Sequence, residues 1–381
     1  MRSRLERYQE FLEQEYRTGF TKSDEYDISG ISEDLVKQMW DGRFTRIVFS
    51  GMGCSAIVSD VIKVFFNSIR SDLEVHVFND YDFEYLIPRS VIEDERTLII
   101  LSSYSGHSNE PVRAFHALRP MHDRVLLLTS GGRLGELGEE HGVSIARWTL
   151  SRPDREYPLF HVGQYFSILV DMFLKLGLLE TDHGPEVRAL AKTLETDFTP
   201  SLRELAADAA ARSENANIIM LGSPKWHESL LKLAKMHFNE IAMVPATRNY
   251  FHEFCHSEVA TLSDPERRHS ILIFSDPEED DYTRAKRRNL VSLLTAPIPQ
   301  NANVTVTEIE LDQPTFMRQY FTALEFVQYL TLDLGRARET QSRNLISEAA
   351  GNPWYHGSTI DAENTANTAN TENTENTESA R

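Results

Sequence analysis

Residues 98–110 read Leu98-Ile99-Ile100-Leu101-Ser102-Ser103-Tyr104-Ser105-Gly106-His107-Ser108-Asn109-Glu110. The first four form the apolar run that a buried strand needs. The run then breaks into hydroxyls around one glycine, and a helical pattern follows over 109–118. A strand that ends in a Ser/Gly turn at a helix start aims unpaired N–H groups and the positive dipole end at one point, which favours an anion such as phosphate. Ser103, Ser105 and Ser108 add hydroxyl donors. The same residues also suit an ordinary turn with Ser108 as N-cap.

A second loop repeats the arrangement. Arg46-Ile47-Val48-Phe49-Ser50 reads as a strand, Gly51-Met52-Gly53-Cys54-Ser55 as its turn, and Ile57, Val58, Val61, Ile62 and Phe65 as one helical face. The glycines permit a tight turn and close backbone approach. Two such loops fit side by side at the carboxyl edge of a parallel sheet, where α/β folds bind ligands.

Outward from these loops the chain alternates. Strands are expected at 45–50, 73–78, 97–102, 124–129 and 143–149, with helices at 55–67, 109–118 and 132–140. That alternation predicts a parallel sheet covered on both faces. A long apolar helix over 161–179 and one or two helices over 185–212 lead to a second unit. There Asn217–Gly222 is a strand, 225–240 a helix, 269–275 and 302–310 strands, and 281–295 and 314–335 helices. Residues 1–42 read as two helices broken at Thr21-Lys22-Ser23-Asp24, with Leu5, Tyr8, Phe11 and Leu12 on one face. The Asn/Thr/Glu triplets beyond 358 hold no large apolar residue and are expected to be disordered. The division expected is a helical segment over 1–44, α/β units over 45–180 and 181–350, and a tail over 351–381.

The net charge of −19 argues against nucleic acid as the main partner, because a phosphate backbone needs a basic face. No apolar run reaches membrane-spanning length, and the start of the chain lacks the apolar core of a signal peptide. Two cysteines, Cys54 and Cys255, cannot build a disulfide framework. A cytoplasmic protein is the reading, with no membrane partner.

Ser103–Glu110 resembles the phosphate loop of sugar isomerase (SIS) domains. Gly51–Ser55 is similar to their first loop, above all in bifunctional phosphoglucose/phosphomannose isomerases. Thr129-Ser130-Gly131-Gly132-Arg133-Leu134 is similar to a further segment of that family. The resemblance spans about 45–347. It implies two flavodoxin-like SIS subdomains, a sugar phosphate held by Ser55, Ser103, Ser105 and Ser108, and a substrate loop that includes Gly51, Gly53 and Gly106. It also implies no metal or organic cofactor, and a homodimer whose site borrows residues from a second copy.

Aldose–ketose isomerisation needs one group to open the sugar ring and another to move a proton between C1 and C2. A histidine suits the first task and a carboxylate the second. Glu240, in Asn239-Glu240, and His256, sixteen positions on, resemble such a pair both in the phosphoglucose/phosphomannose isomerases and in the isomerase half of glucosamine-6-phosphate synthase. The resemblance makes Glu240 the base and His256 the ring opener.

Departures are also visible. Leu159 stands where an arginine is expected, with Arg152, Arg155 or His161 as substitutes, and Ser347 or Glu348 stands where a tail lysine is expected. His107 replaces an Asn or Glu usual in the phosphate loop. An amino-sugar phosphate deaminase or deglycase and a non-catalytic sugar-phosphate binder therefore stay open. His252-Glu253-Phe254-Cys255-His256 also matches H-E-x-x-H, a zinc pattern when helical. The absence of a clear third ligand, and a flanking Asn249-Tyr250-Phe251 that does not demand a helix, weigh against zinc.

Overall fold

A computed structural model describes residues 3–69, 71–79, 86–150 and 158–343. The expectations for Arg152, Arg155, Ser347, Glu348 and the tail lie outside these residues.

Among the described residues the first sheet has six strands: β1 (Tyr26–Gly30), β2 (Arg46–Gly51), β3 (Glu74–Val77), β4 (Thr97–Ser102), β5 (Val125–Thr129) and β6 (Ser144–Trp148). Their order is β1-β6-β5-β4-β2-β3. All neighbours pair in parallel except β1, which runs antiparallel to β6. The second sheet is wholly parallel, with β7 (Asn217–Gly222), β8 (Ala246–Tyr250), β9 (His269–Ser275) and β10 (Val304–Glu310) in the order β10-β9-β7-β8.

Strand β4 is buried along its whole length, as a central parallel strand between two helical layers must be. Its alternate residues serve different cores. Leu98 and Ile100 join Ile47 and Phe49 in the large inner core, while Ile99 and Leu101 join Val48 in an outer one. The second sheet divides likewise: Ile218 and Met220 face inward, Ile219 and Leu221 outward. The inner core between the sheets is filled by helix α3 (Gly53–Ser68) and the helices Val162–Lys175 and Phe316–Ala337.

Two expectations need correction. The N-terminal stretch holds the two expected helices but also a strand between them. Helix α1 (Arg4–Gln14) is followed by a 3₁₀ turn (Arg17–Thr21), strand β1 and then helix α2 (Glu33–Trp40). Leu5, Tyr8, Phe11 and Leu12 are all buried, so the apolar face is the predicted one. In the second unit, β8 and the short helix Phe251–His256 are present where no regular element was predicted. The predicted helix 225–240 is a composite: Pro224–Trp226, a π segment His227–Leu231, an α segment Lys232–His237, and a second π segment Phe238–Ala242.

Candidate active site

Strands β2 and β4 are neighbours, with Gly51 opposite Ser102, so both glycine-containing loops leave the carboxyl edge side by side. Each feeds a helix. Helix α3 has Met52 as N-cap and helix Asn109–Ala117 has Ser108, and neither cap makes a side-chain hydrogen bond. Ser3, Ser32, Thr199 and Asp280 do cap their helices. Ser108 thus holds the N-cap position, but its hydroxyl accepts a hydrogen bond from Ser103 Oγ at 3.2 Å instead of capping. Two adjacent helix N-termini are left with donors and dipole charge to offer an anion.

The loops are packed against one another. The buried Ser55 hydroxyl accepts the Tyr104 N–H at 3.1 Å and keeps its own proton to donate. The exposed Ser105 hydroxyl accepts the His107 N–H at 3.3 Å, and His107 itself is exposed. Gly106 sits at φ +71°, and a Cβ there would run into the Gly131 carbonyl. The Leu134 N–H donates to Gly106 O at 2.9 Å, and Ser130 donates to Tyr104 O through both N–H (2.9 Å) and Oγ (2.7 Å). Gly53 opens α3 at φ +56° with no atom near its Cβ position. Beneath the loop, Tyr104 tilts against Trp148, which stacks on Tyr165, and the Tyr165 hydroxyl bonds Ser102 Oγ. This aromatic support was not foreseen from sequence.

Glu240 lies in the second π segment and is half-buried. Burial, and then Glu240, hold the Cys54 thiol well above its ordinary range. Helix α3 runs beside the composite helix, with Asp60 paired to Lys232 at 3.0 Å further along.

His256 ends the helix Phe251–His256 and is exposed. That helix packs through Phe251 and Phe254 on the outer face of the second sheet, whereas Phe238 and Ile241 beside Glu240 belong to the inner core. Glu240 therefore lies on the inner-core side of the second sheet and His256 on its far side. His252 and His256 do share a helix, contrary to the sequence reading. His252 Nε2 lies 3.3 Å from Thr283 Oγ1, and its ring stacks on Tyr282. Among the described residues no group of three or more His, Cys, Asp or Glu is placed to hold a metal ion.

Leu159 is buried in the inner core. His161 is buried against Phe11, its pKa pushed down to about 4 by burial and then by nearby Lys22. The second sheet pairs β9 with β7 as the first pairs β4 with β2, but its equivalent loop carries its own anion. The carboxylate of Asp276, 1% exposed, accepts from Trp226 Nε1 (2.7 Å) and the Glu278 N–H (2.9 Å) and pairs with Lys225 Nζ (3.1 Å).

Two largely parallel sheets enclosing one inner core, with paired glycine loops at a carboxyl edge, define a two-unit α/β fold. Residues 203–344 match the bacterial phospho-glucose isomerase C-terminal SIS domain. The chain is 27% identical over 311 residues to the bifunctional phosphoglucose/phosphomannose isomerase of Thermoplasma volcanium, a match covering 81% of this chain and 91% of that one. To the same-named protein of Caldicellulosiruptor bescii it is 26% identical over 294 residues, covering 76% and 83%. The structure of tagatose-6-phosphate ketose/aldose isomerase from Escherichia coli superposes with a TM-score of 0.60 at 17% identity, covering 87% of this chain and 92% of that one. No helix among the described residues is long and apolar enough to cross a membrane.

Proposed function

We propose that this chain is a phosphosugar isomerase that interconverts an aldose and a ketose hexose phosphate of the glucose/mannose 6-phosphate type. One observation carries the reading: two uncapped helix N-termini stand side by side at the carboxyl edge of the first sheet. The phosphate is held by backbone N–H groups and by Ser55, Ser103, Ser105 and Ser108. The glycines at 51, 53 and 106 let the backbone approach it. Glu240 removes the C2 proton of the open-chain aldose as the carbonyl at C1 becomes a hydroxyl. It then delivers a proton, exchanged with solvent, to C1 as the C2 hydroxyl becomes the carbonyl and gives back to solvent the proton that O1 took from it, so the enediol is the intermediate and no electron acceptor is needed. His256 moves the proton between O1 and the ring oxygen. Because its helix packs on the far face of the second sheet, it serves this site across a homodimer, from the second copy. The site uses no metal or organic cofactor, and the protein works in the cytoplasm.

Glu240→Gln is the test. Turnover should fall by about 10²–10⁴-fold while the thermal shift given by the sugar phosphate persists. Unchanged turnover removes Glu240 from the mechanism. One observation favours a second reading, a non-catalytic sugar-phosphate binder: Leu159, where an arginine is expected, is buried in the core. A wild type that binds a sugar phosphate but turns over neither hexose phosphates nor, with release of ammonia, glucosamine 6-phosphate would establish that reading.

A further inference from the structure

Glu240 sits one residue before a carbonyl that Arg4 and Thr340, far apart in sequence, both reach. The composite helix ends in the π segment Phe238–Ala242, and Met243 then turns into the left-handed region at φ +51°. That conformation is costly for a residue with a side chain, so the surroundings must hold it. A helix end also leaves its last carbonyls without partners inside the helix. Here the Ile241 carbonyl accepts from Thr340 Oγ1 at 2.9 Å and from Arg4 Nη2 at 3.4 Å. Thr340 is wholly buried and Arg4 is 9% exposed. Gly335 makes room for the arrangement, since a Cβ there would come within 3.1 Å of both the Ile241 carbonyl and Thr340 Oγ1. One turn earlier, Tyr8 of helix α1 bonds His237 Nδ1 at 3.0 Å, and both side chains are fully buried.

We propose that Arg4 and Thr340 are positioning residues for Glu240: their shared grip on the Ile241 carbonyl fixes the π turn that carries the carboxylate. The proposal rests on the isomerase reading for its catalytic meaning and on geometry alone for the grip. The geometry suits a positional task. The π segment inserts an extra residue per turn and rotates the side chains that follow it, and such segments occur at functional sites. Released, the last turn can relax to ordinary α-helical spacing, which swings Glu240 about the helix axis without unfolding anything. Removing the grip should therefore lower turnover more than it lowers phosphate affinity, which resides in the first unit. A purely stabilising contact would lower the amount of folded protein and leave kcat of the folded fraction alone.

Thr340→Val, Thr340→Ser and Arg4→Met, made in the full chain, test this. Two readouts are needed: steady-state kinetics on fructose 6-phosphate, and hydrogen–deuterium exchange of the amides of Glu240–Val244. Thr340→Val should lose about 10–100-fold in kcat, as expected of a roughly 1 Å misplacement, with KM within about twofold. Exchange at Glu240–Val244 should speed up. Thr340→Ser keeps the hydroxyl and should restore both, and Arg4→Met should fall between them. Unchanged exchange in both Thr340→Val and Arg4→Met overturns the grip. Faster exchange with unchanged kcat overturns its positioning role, as does a Ser variant impaired as much as the Val variant. A wild type without turnover overturns the isomerase reading, while the exchange readout still decides the grip.

Discussion

Gly106→Ala should damage the candidate phosphate loop far more than a glycine replacement of the same backbone class elsewhere. Gly106 and Gly142 have nearly the same φ, +71° and +65°, so alanine at either incurs the left-handed cost of about 1–2 kcal/mol. At Gly142 nothing lies within 4 Å of the new Cβ, and the cost ends there. At Gly106 the Cβ would overlap the Gly131 carbonyl and touch Thr129 Oγ1 at 3.0 Å. These are parts of a second loop and cannot yield as a flexible side-chain end would. The loops must separate, which threatens the Leu134 N–H bond to Gly106 O (2.9 Å) and the Gly106 N–H bond to Ser103 O (3.2 Å). Each is worth about 1 kcal/mol net. The expected losses are about 1–2 kcal/mol for Gly142→Ala and about 3–4 kcal/mol for Gly106→Ala. Urea melts of the two variants measure the difference. The same variants, heated with and without a sugar phosphate, report the site. Gly142→Ala should keep the ligand-induced rise in Tm and Gly106→Ala should lose most of it, because Ser103, Ser105 and Ser108 move with the loop. Equal destabilisation, with the ligand shift intact in both, would refute the claim that contact between the loops builds the site.

Further outcomes follow from buried charge. Asp60, held above its ordinary pKa by burial against the opposing pull of Lys232, is 7% exposed at its side chain, and Lys232 is 24% exposed. Asp60→Ala should cost about 2–3 kcal/mol in a urea melt, below the range for fully buried pairs because Lys232 keeps some water, and replacing both by Leu should recover most of it. His237 is fully buried with its pKa pushed down to about 3 by burial. Above pH 6.5 its ring is neutral folded and unfolded. Between pH 6.5 and about 3 the unfolded chain takes up a proton that the folded chain refuses, so stability must fall as pH falls. Glu325, pushed up to about 7 by burial, acts in the opposite sense between about 7 and its ordinary 4.5. A His237→Gln variant should therefore show a shallower loss of stability from pH 6 to 4 than wild type, and an unchanged slope would exclude the buried neutral ring as its cause.

The central parallel strands were legible because burial on both faces leaves little choice of residue. Leu98–Leu101 and Ile218–Leu221 are unbroken apolar runs, and their bounds follow directly. Strand β1 escaped because it is a mostly exposed edge strand whose Tyr26-Asp27-Ile28-Ser29-Gly30 carries no apolar run. Strand β8 escaped for a similar reason, with Thr247 exposed and Arg248 partly so. The helix around Glu240 was visible from its spacing, but its two π segments were not. The carbonyl partners at the end of the second, Arg4 and Thr340, are distant from it in sequence. The serine loop could be read locally because one turn carries its donors. The placing of Glu240 on the inner-core side of the second sheet, and of His256 on its far side, depends on how the two sheets share a core, which no local pattern encodes.

At Glu240 the proposed chemistry is proton transfer between C1 and C2 of a sugar phosphate. It is tested most directly by NMR of fructose 6-phosphate incubated with the protein in D₂O. Glucose or mannose 6-phosphate should appear with deuterium at C2, at a rate that collapses in Glu240→Gln. Binding of fructose 6-phosphate by the wild type with neither aldose formation nor deuterium incorporation would contradict it.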